Sequence, residues 1–253
     1  MSGITLSRER GFIFGDLVVD NSDGVYLMRV EKPSTPTLDT FQISAPMRDG
    51  DDHIDNRYLN KDILVVIGVY KENIQERRNI QRDITNKIVG KYGRLYFKDD
   101  PNRFHLGKVY EAVEVSETEF FTELEFKFVC KPFIYEDTST EYEWPNIMSS
   151  MSQTITNNGT HIAKPVIKIS GVATRINITI GDTSFTLANV NDTTYVDSEN
   201  MIVYRYVGGR KESLLPSFSG MFPIIKIGAS NLNISGEGLN VNVNINFLNT
   251  YIC

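Results

Sequence analysis

Three histidines, His53, His105 and His161, are the side chains in this 253-residue chain best placed to move protons near neutral pH, and each stands apart from the others. His53 lies among Asp51, Asp52 and Asp55, where a divalent cation or an acid–base pair can be imagined, but the run 48–56 reads as a solvated charged loop. His105 falls on an expected strand and His161 just after a turn, and both read as surface or capping residues. Asp51 and Asp52 with Asp55, and separately Asp99 with Asp100, cluster carboxylate oxygens, yet neither group has the alternating spacing and terminal glutamate of a calcium loop. Zinc-protease, nucleophile-elbow, P-loop and dinucleotide-binding patterns are all missing. The two cysteines, Cys130 and Cys253, are too few for a disulfide framework and read as reduced thiols. The sequence therefore offers no catalytic, cofactor-binding or metal-binding constellation, and the expectation is a protein that is not an enzyme and carries no cofactor.

Two other groups could serve recognition. Arg77, Arg78 and Arg82 form a basic cluster on an expected helix, suited to a nucleic-acid groove or to a wet face that pairs with Glu76, Asp83 or a neighbouring subunit. The second reading is preferred, because a net charge of -6 and a pI near 5.2 oppose general phosphate binding. Tyr195, Tyr204 and Tyr206 could make a sugar platform, although alternating strand tyrosines more often pack across strands. Four N-x-S/T sequons, at Asn158, Asn177, Asn191 and Asn233, are read as part of an Asn- and Thr-rich sheet surface rather than as glycosylation sites.

The elements that must carry these residues fall into two halves. Hydrophobic residues make up 41% of the chain and charged ones 23%, which suits a folded protein of one large or two small domains. No stretch approaches the roughly 20 apolar residues of a membrane span, and Arg8, Glu9 and Arg10 stand where a signal peptide needs an apolar run, so synthesis and retention in a cytoplasm are expected. Residues 1–135 hold 19 basic and 22 acidic side chains, whereas residues 136–253 hold 7 and 10. Asparagine rises from 7 to 14 across the same point. This change in surface chemistry predicts an N-terminal domain over 1–135, a linker over 136–152, which includes Trp144, and a second domain over 153–253.

In the first half, short strands are expected at Thr5–Leu6 and Gly11–Gly15 and longer ones at Gly24–Val30 and Asp62–Tyr70. A single helix follows, with Ile80, Ile84 and Ile88 as its apolar stripe, Ile74 near its start, Asn73 as N-cap and Gly90 as its left-handed stop. Strands resume at Arg94–Phe97, Arg103–Leu106 and Lys108–Val115, and Phe120 to Phe128 alternate with period two. The second half reads as β throughout. Its turns fall at Gly181-Asp182 and Gly208-Gly209, and its last strand alternates Leu239, Val241, Val243, Ile245 and Phe247 with four asparagines, which together predict an antiparallel β-sandwich or jelly roll.

The order of these pieces adds more. Ile63–Tyr70, the helix containing Glu76–Ile80, Gly93–Pro101 and Tyr110–Val113 in series resemble the N-terminal domain of the siphophage distal tail proteins, often called Dit. Asn158–Thr160, Pro165, Phe185–Leu187, Tyr195–Asp197 and Phe222-Pro223 before Ile227-Gly228 are similar to that family's C-terminal sandwich. The resemblance implies a mainly β protein with a sandwich- or barrel-like N-terminal domain holding one helix and a galectin-like C-terminal sandwich. It implies a hexameric ring, single or as a back-to-back pair in isolation, in the virion at the tail tip after assembly in the host cytoplasm. The ring would join the major tail tube protein to the tail-associated fibre or lysin protein and let DNA pass without specific binding or membrane insertion. The short segments between strands leave no room for the long arm or extra sugar-binding modules of some relatives, so a minimal hub is expected. Six copies would carry -36 formal charges, six times the -6 of one chain, and a conduit for a polyanion should repel it. Asp49, Asp51, Asp52, Asp99 and Asp100 are therefore the expected channel-lining residues, with Arg77, Arg78 and Arg82 as interface candidates. The alternative function is a carbohydrate-binding module for host cell-wall glycans.

Overall fold

The structure, a computed structural model, describes residues 10–44, 49, 51–111 and 114–252. The expected strand at Thr5–Leu6 and Cys253 lie outside the described residues. The chain divides into two compact units, one of residues 1–135 with 252–253 and one of residues 136–251.

In chain order the first unit contains β1 (Phe12–Phe14), β2 (Leu17–Val19), β3 (Val25–Glu31), β4 (Leu38–Ser44), β5 (Asp51–Tyr58), β6 (Lys61–Tyr70), α1 (Ile74–Ile88), β7 (Tyr92–Phe97), β8 (Asp100–Val109), β9 (Glu114–Glu117) and β10 (Phe121–Glu136). Its main sheet runs β2-β1-β7-β8-β10-β6-β3, with β9 also paired to β10. The spine is the antiparallel pair β6–β10, in register from Tyr70 opposite Phe121 to Lys61 opposite Cys130. Ile63, Val65, Ile67 and Val69 from β6 meet Leu124, Phe126, Phe128 and Cys130 from β10 in one core, and Ile84 and Ile88 of α1 close it. Sheet neighbours come close at Gly107, where an added Cβ would lie 2.5 Å from the Cys130 sulfur.

The helix begins as expected: the Asn73 side chain accepts from the backbone N–H of Gln75 and Glu76. It ends at Val89, and Gly90 follows at φ +77°. The run 48–56 departs from expectation. Rather than a loop, most of it is β5, paired with β4 as a separate two-stranded sheet. Such a ribbon need not bury one face, so its sequence lacks the apolar alternation that marks a strand.

The second unit contains β11 (Thr140–Ile147), β12 (Met151–Asn157), β13 (Val166–Ile180), β14 (Thr183–Val190), β15 (Thr194–Asp197), β16 (Ile202–Val207), β17 (Arg210–Ser213), β18 (Phe218–Gly220), β19 (Gly228–Glu237) and β20 (Asn240–Phe247). The segment expected to be a linker, 136–152, is corrected: it holds β11, hydrogen-bonded to β20 from Thr140 opposite Phe247 onward, and the start of β12. Its acidic residues face out, while Tyr142 and Trp144 stack at 5.9 Å against the core. The charge that suggested a linker is the wet face of a strand.

Strand β13 is shared between two sheets. Its first half pairs with β15 and β20, and its second half pairs with β14 and β19. The change of sheet falls just after Gly171, between Val172, still opposite β20, and Ala173, opposite β14, and the φ of +126° at Gly171 is hard for any residue with a Cβ. One sheet runs β11-β20-β13-β15-β16-β17, the other joins β12, β19, β13, β14 and β18. Between them Ile167, Ile169, Ile176, Ile178, Val243 and Ile245, all essentially inaccessible to solvent, form part of a continuous core. The outward asparagines of β20 are used rather than idle: Asn244 donates to Glu141, Asn246 to Ser139, and Asn242 accepts from the Asn146 N–H. The described residues are mainly β with one α-helix, and the sandwich of the second half holds.

Candidate assembly and binding surfaces

Arg77 belongs to the core of its unit and not to a wet helix face. It is 1% exposed, the largest fully buried side chain described. Its position seven residues before Ile84 and eleven before Ile88 puts it on their stripe, since both intervals are near whole numbers of helical turns. One guanidinium nitrogen donates to Lys71 O at 2.8 Å and Glu119 O at 2.7 Å, and the other to Thr118 O at 3.3 Å. The helix start is thereby tied to the turn between β9 and β10. Nε finds no partner among the described residues. Arg78 is half exposed, 3.9 Å from Glu117, and Arg82 is exposed with its guanidinium 3.3 Å from Asn79 Oδ1. Of the three arginines, these two remain available to a partner.

The acids divide as well. Asp49 is exposed, and Asp51 and Asp52 stand in β5 opposite Ser44 and Ile43, at the end of the β4–β5 ribbon. Asp99 and Asp100 are at the β7–β8 turn, each beside a cation: Asp99 lies 3.3 Å from Lys32 and Asp100 lies 3.6 Å from Arg103. Their net field is weakened by those partners.

Burial first, then Lys61 and Lys32, push the His105 imidazole down to about 3, so it is neutral at physiological pH. Burial also lowers His161 and drives the free Cys130 thiol up to about 12, far from the thiolate a nucleophile needs. Among the described residues no three of His, Cys, Asp or Glu come together as a metal-binding group. No described helix is long and apolar enough to cross a membrane.

In the second unit the expected tyrosines do meet. Tyr195 and Tyr204 are opposite each other on β15 and β16, stacked at 5.2 Å, and Tyr206 packs edge-on against both at 5.7 and 5.5 Å. Lys211 sits 4.1 Å over the Tyr204 ring. Tyr206, half exposed, is the ring left open to a ligand. The two glycines at 208 and 209, both at positive φ, make the tight β16–β17 turn that brings Lys211 back over this face.

Comparison with known proteins now gives the class. Residues 22–130 match the family model described as the phage tail protein RIFT-related domain. Over the whole chain the fold is similar to the crystal structure of the SPP1 Dit (gp 19.1) protein, with a TM-score of 0.74, 14% identity, and coverage of 94% of this chain and 98% of that one. It is also similar to chains in two structures of the phage P2 baseplate in its activated conformation. The one with Ca gives a TM-score of 0.52 at 11% identity, covering 94% of this chain and 97% of that one. The one with Sr gives 0.52 at 12%, covering 97% and 98%. No curated protein sequence matches. Residues 22–130 of the first unit are thus similar to a phage tail domain, and the resemblance to siphophage distal tail proteins drawn from the ordered motifs holds.

Proposed function

We propose that this protein is the structural hub of a long, non-contractile phage tail, a ring of six copies built by the first units with the second units as appended sandwiches. The ring joins the tail tube protein to the fibre or lysin protein at the tail tip and leaves a channel through which DNA passes. The observation that carries this reading is the phage tail domain over residues 22–130, supported by a whole-chain fold similar to a protein whose structure is described as a paradigm of hub adsorption apparatus in Gram-positive infecting phages. Asp49, Asp51, Asp52, Asp99 and Asp100 are the acids proposed to line the channel, with the field of Asp99 and Asp100 offset by Lys32 and Arg103. Arg78 and Arg82 are the basic residues suited to a subunit or partner contact, and Arg77 is removed from that set. The chain would reside in the virion after assembly in the host cytoplasm.

Light scattering after size exclusion tests this over a range of concentrations. A species of six times the 28.7 kDa chain mass, or twelve times for paired rings, is expected. A clean monomer at high concentration refutes the ring.

A second reading, a module for host cell-wall glycans, is favoured by one observation, the contact of Tyr195, Tyr204 and Tyr206 on the outward face of their sheet. It predicts saturable glycan binding lost in Tyr206→Ala. The hub alone predicts none.

A further inference from the structure

The turn after β12 carries Asn158-Gly159, the only Asn-Gly pair in the chain. Such a pair is chemically labile, because with no Cβ to shield it the Gly159 nitrogen can reach the Asn158 side-chain carbon. In that reaction the nitrogen bonds to Cγ, its proton passes to the departing amide, the Cγ–Nδ2 bond breaks, ammonia leaves, and a cyclic succinimide remains. Water then opens the ring at either carbonyl and leaves aspartate or isoaspartate at position 158. Asn158 is exposed to that water, yet the fold opposes the first step. Asn157, 1% exposed, accepts the Gly159 N–H on its Oδ1 at 2.9 Å, and its Nδ2 donates to His161 O at 2.8 Å and Ile225 O at 3.1 Å. The nitrogen that must lose its proton is thus held by an oxygen whose own amide is fixed by two further bonds. On either side, the Asn158 N–H donates to Asn249 Oδ1 at 3.2 Å, and those of Thr160 and His161 donate to Thr250 O at 2.9 and 3.0 Å. Four consecutive N–H groups, 158 to 161, are therefore engaged. Gly159 is also tightly packed, since an added Cβ would lie 2.4 Å from Thr250 O.

We infer that Asn158 is a masked deamidation site, kept intact by the buried Asn157 side chain and unmasked when this turn opens. Removing the Gly159 proton while Asn157 Oδ1 faces it sets a nitrogen anion against a buried oxygen, which a low dielectric makes costly. Rotating the 158–159 peptide toward Cγ also strains the neighbouring bonds to Asn249 and Thr250. The product does not fit back. Isoaspartate inserts a methylene into the main chain, and a turn with Gly159 pressed against Thr250 O has no slack for it. An opening that lasts long enough for the ring to form thereby becomes irreversible, so the turn converts a local loss of structure into a permanent chemical mark. This inference rests on the second unit alone and is independent of the proposed hub role.

The test follows position 158 by peptide mass mapping of the full chain held in mildly alkaline buffer, scoring aspartate and isoaspartate. Native wild type should convert more slowly than the urea-unfolded chain by at least about tenfold, the factor that one hydrogen bond represents at the upper end of its range. Asn157→Ala, with its fold checked by circular dichroism, should convert faster than native wild type by about the same factor. If that variant does not fold, wild type decides alone: in sub-denaturing urea the conversion rate and the hydrogen-exchange rate of the Gly159 N–H should rise in proportion, since both need the same opening. Native wild type converting as fast as the unfolded chain, folded Asn157→Ala converting at the wild-type rate, or conversion that does not follow Gly159 exchange would each overturn the assignment.

Discussion

Replacing Arg77 with alanine should unfold the first unit far more readily than replacing its neighbour Arg78. Arg77 donates two short hydrogen bonds and one longer one to the carbonyls of Lys71, Glu119 and Thr118. Bonds from a charged donor contribute about 1.5–3 kcal/mol each, but they are not additive when they share one group. Truncation also leaves a cavity under the β9–β10 turn. Against this, carbonyls near the turn regain some water, and the unpartnered Nε no longer has to be buried. A net loss of about 3 kcal/mol is expected, within the range for breaking a buried charged network. For a unit of this size each kcal/mol moves the melting temperature by roughly 3–5 °C, so its transition should drop by about 10–15 °C. Calorimetry should resolve two transitions if the two units unfold separately. Hydrogen exchange localises the effect, since the Thr118 N–H, which donates to Phe121 O at 2.7 Å, should lose protection first. Arg77→Lys keeps the charge without the planar fork and should fall between the two. If Arg77→Ala melts within 2 °C of Arg78→Ala, and exchange at Thr118 is unchanged, the buried clamp contributes little and the reasoning is wrong.

Three further outcomes are expected. His105 has a folded pKa of about 3 against an ordinary 6.5, so the unfolded chain binds the proton first; stability is complete above pH 6.5 and falls by up to about 1.4 kcal/mol per unit as pH drops from 6.5 toward 3. Chemical denaturation of wild type and His105→Gln at pH 7 and pH 5 should show a shallower loss in the variant, and parallel curves would count against it. Gly171→Ala places a Cβ 2.3 Å from Asn240 O at a φ of +126°, so the second unit should lose about 3 kcal/mol or more; an unchanged denaturation midpoint would mean that β13 changes sheets without this residue. Charge reversal at Asp49, Asp51 and Asp52 should slow DNA ejection by phage carrying the variant, and normal ejection kinetics would end the proposal of an acidic lining.

Much was legible in the sequence because it depended on local periodicity. Period two in β10 and β20, four-residue spacing in α1, the Asn73 cap and the glycine turns at 181 and 208–209 all follow from backbone geometry acting over a few residues. The drop in charge density after residue 135 falls at the point where the chain divides into two compact units. Ordered motifs pointed to the distal tail class. Other features depended on what each element meets. Arg77 could have been found from its spacing to Ile84 and Ile88, but an arginine on an apolar stripe is buried only when carbonyls such as those of Lys71 and Glu119 converge on it, and that convergence is tertiary. β5 is a charged and polar strand with little apolar signature, and 136–152 looked like a linker because the outward face of β11 is acidic. His105 and Lys61, unremarkable in sequence, become buried because β8 and β6 both flank β10. Local sequence fixes which residues share a face; sheet order decides which faces meet, and burial then determines what their chemistry becomes.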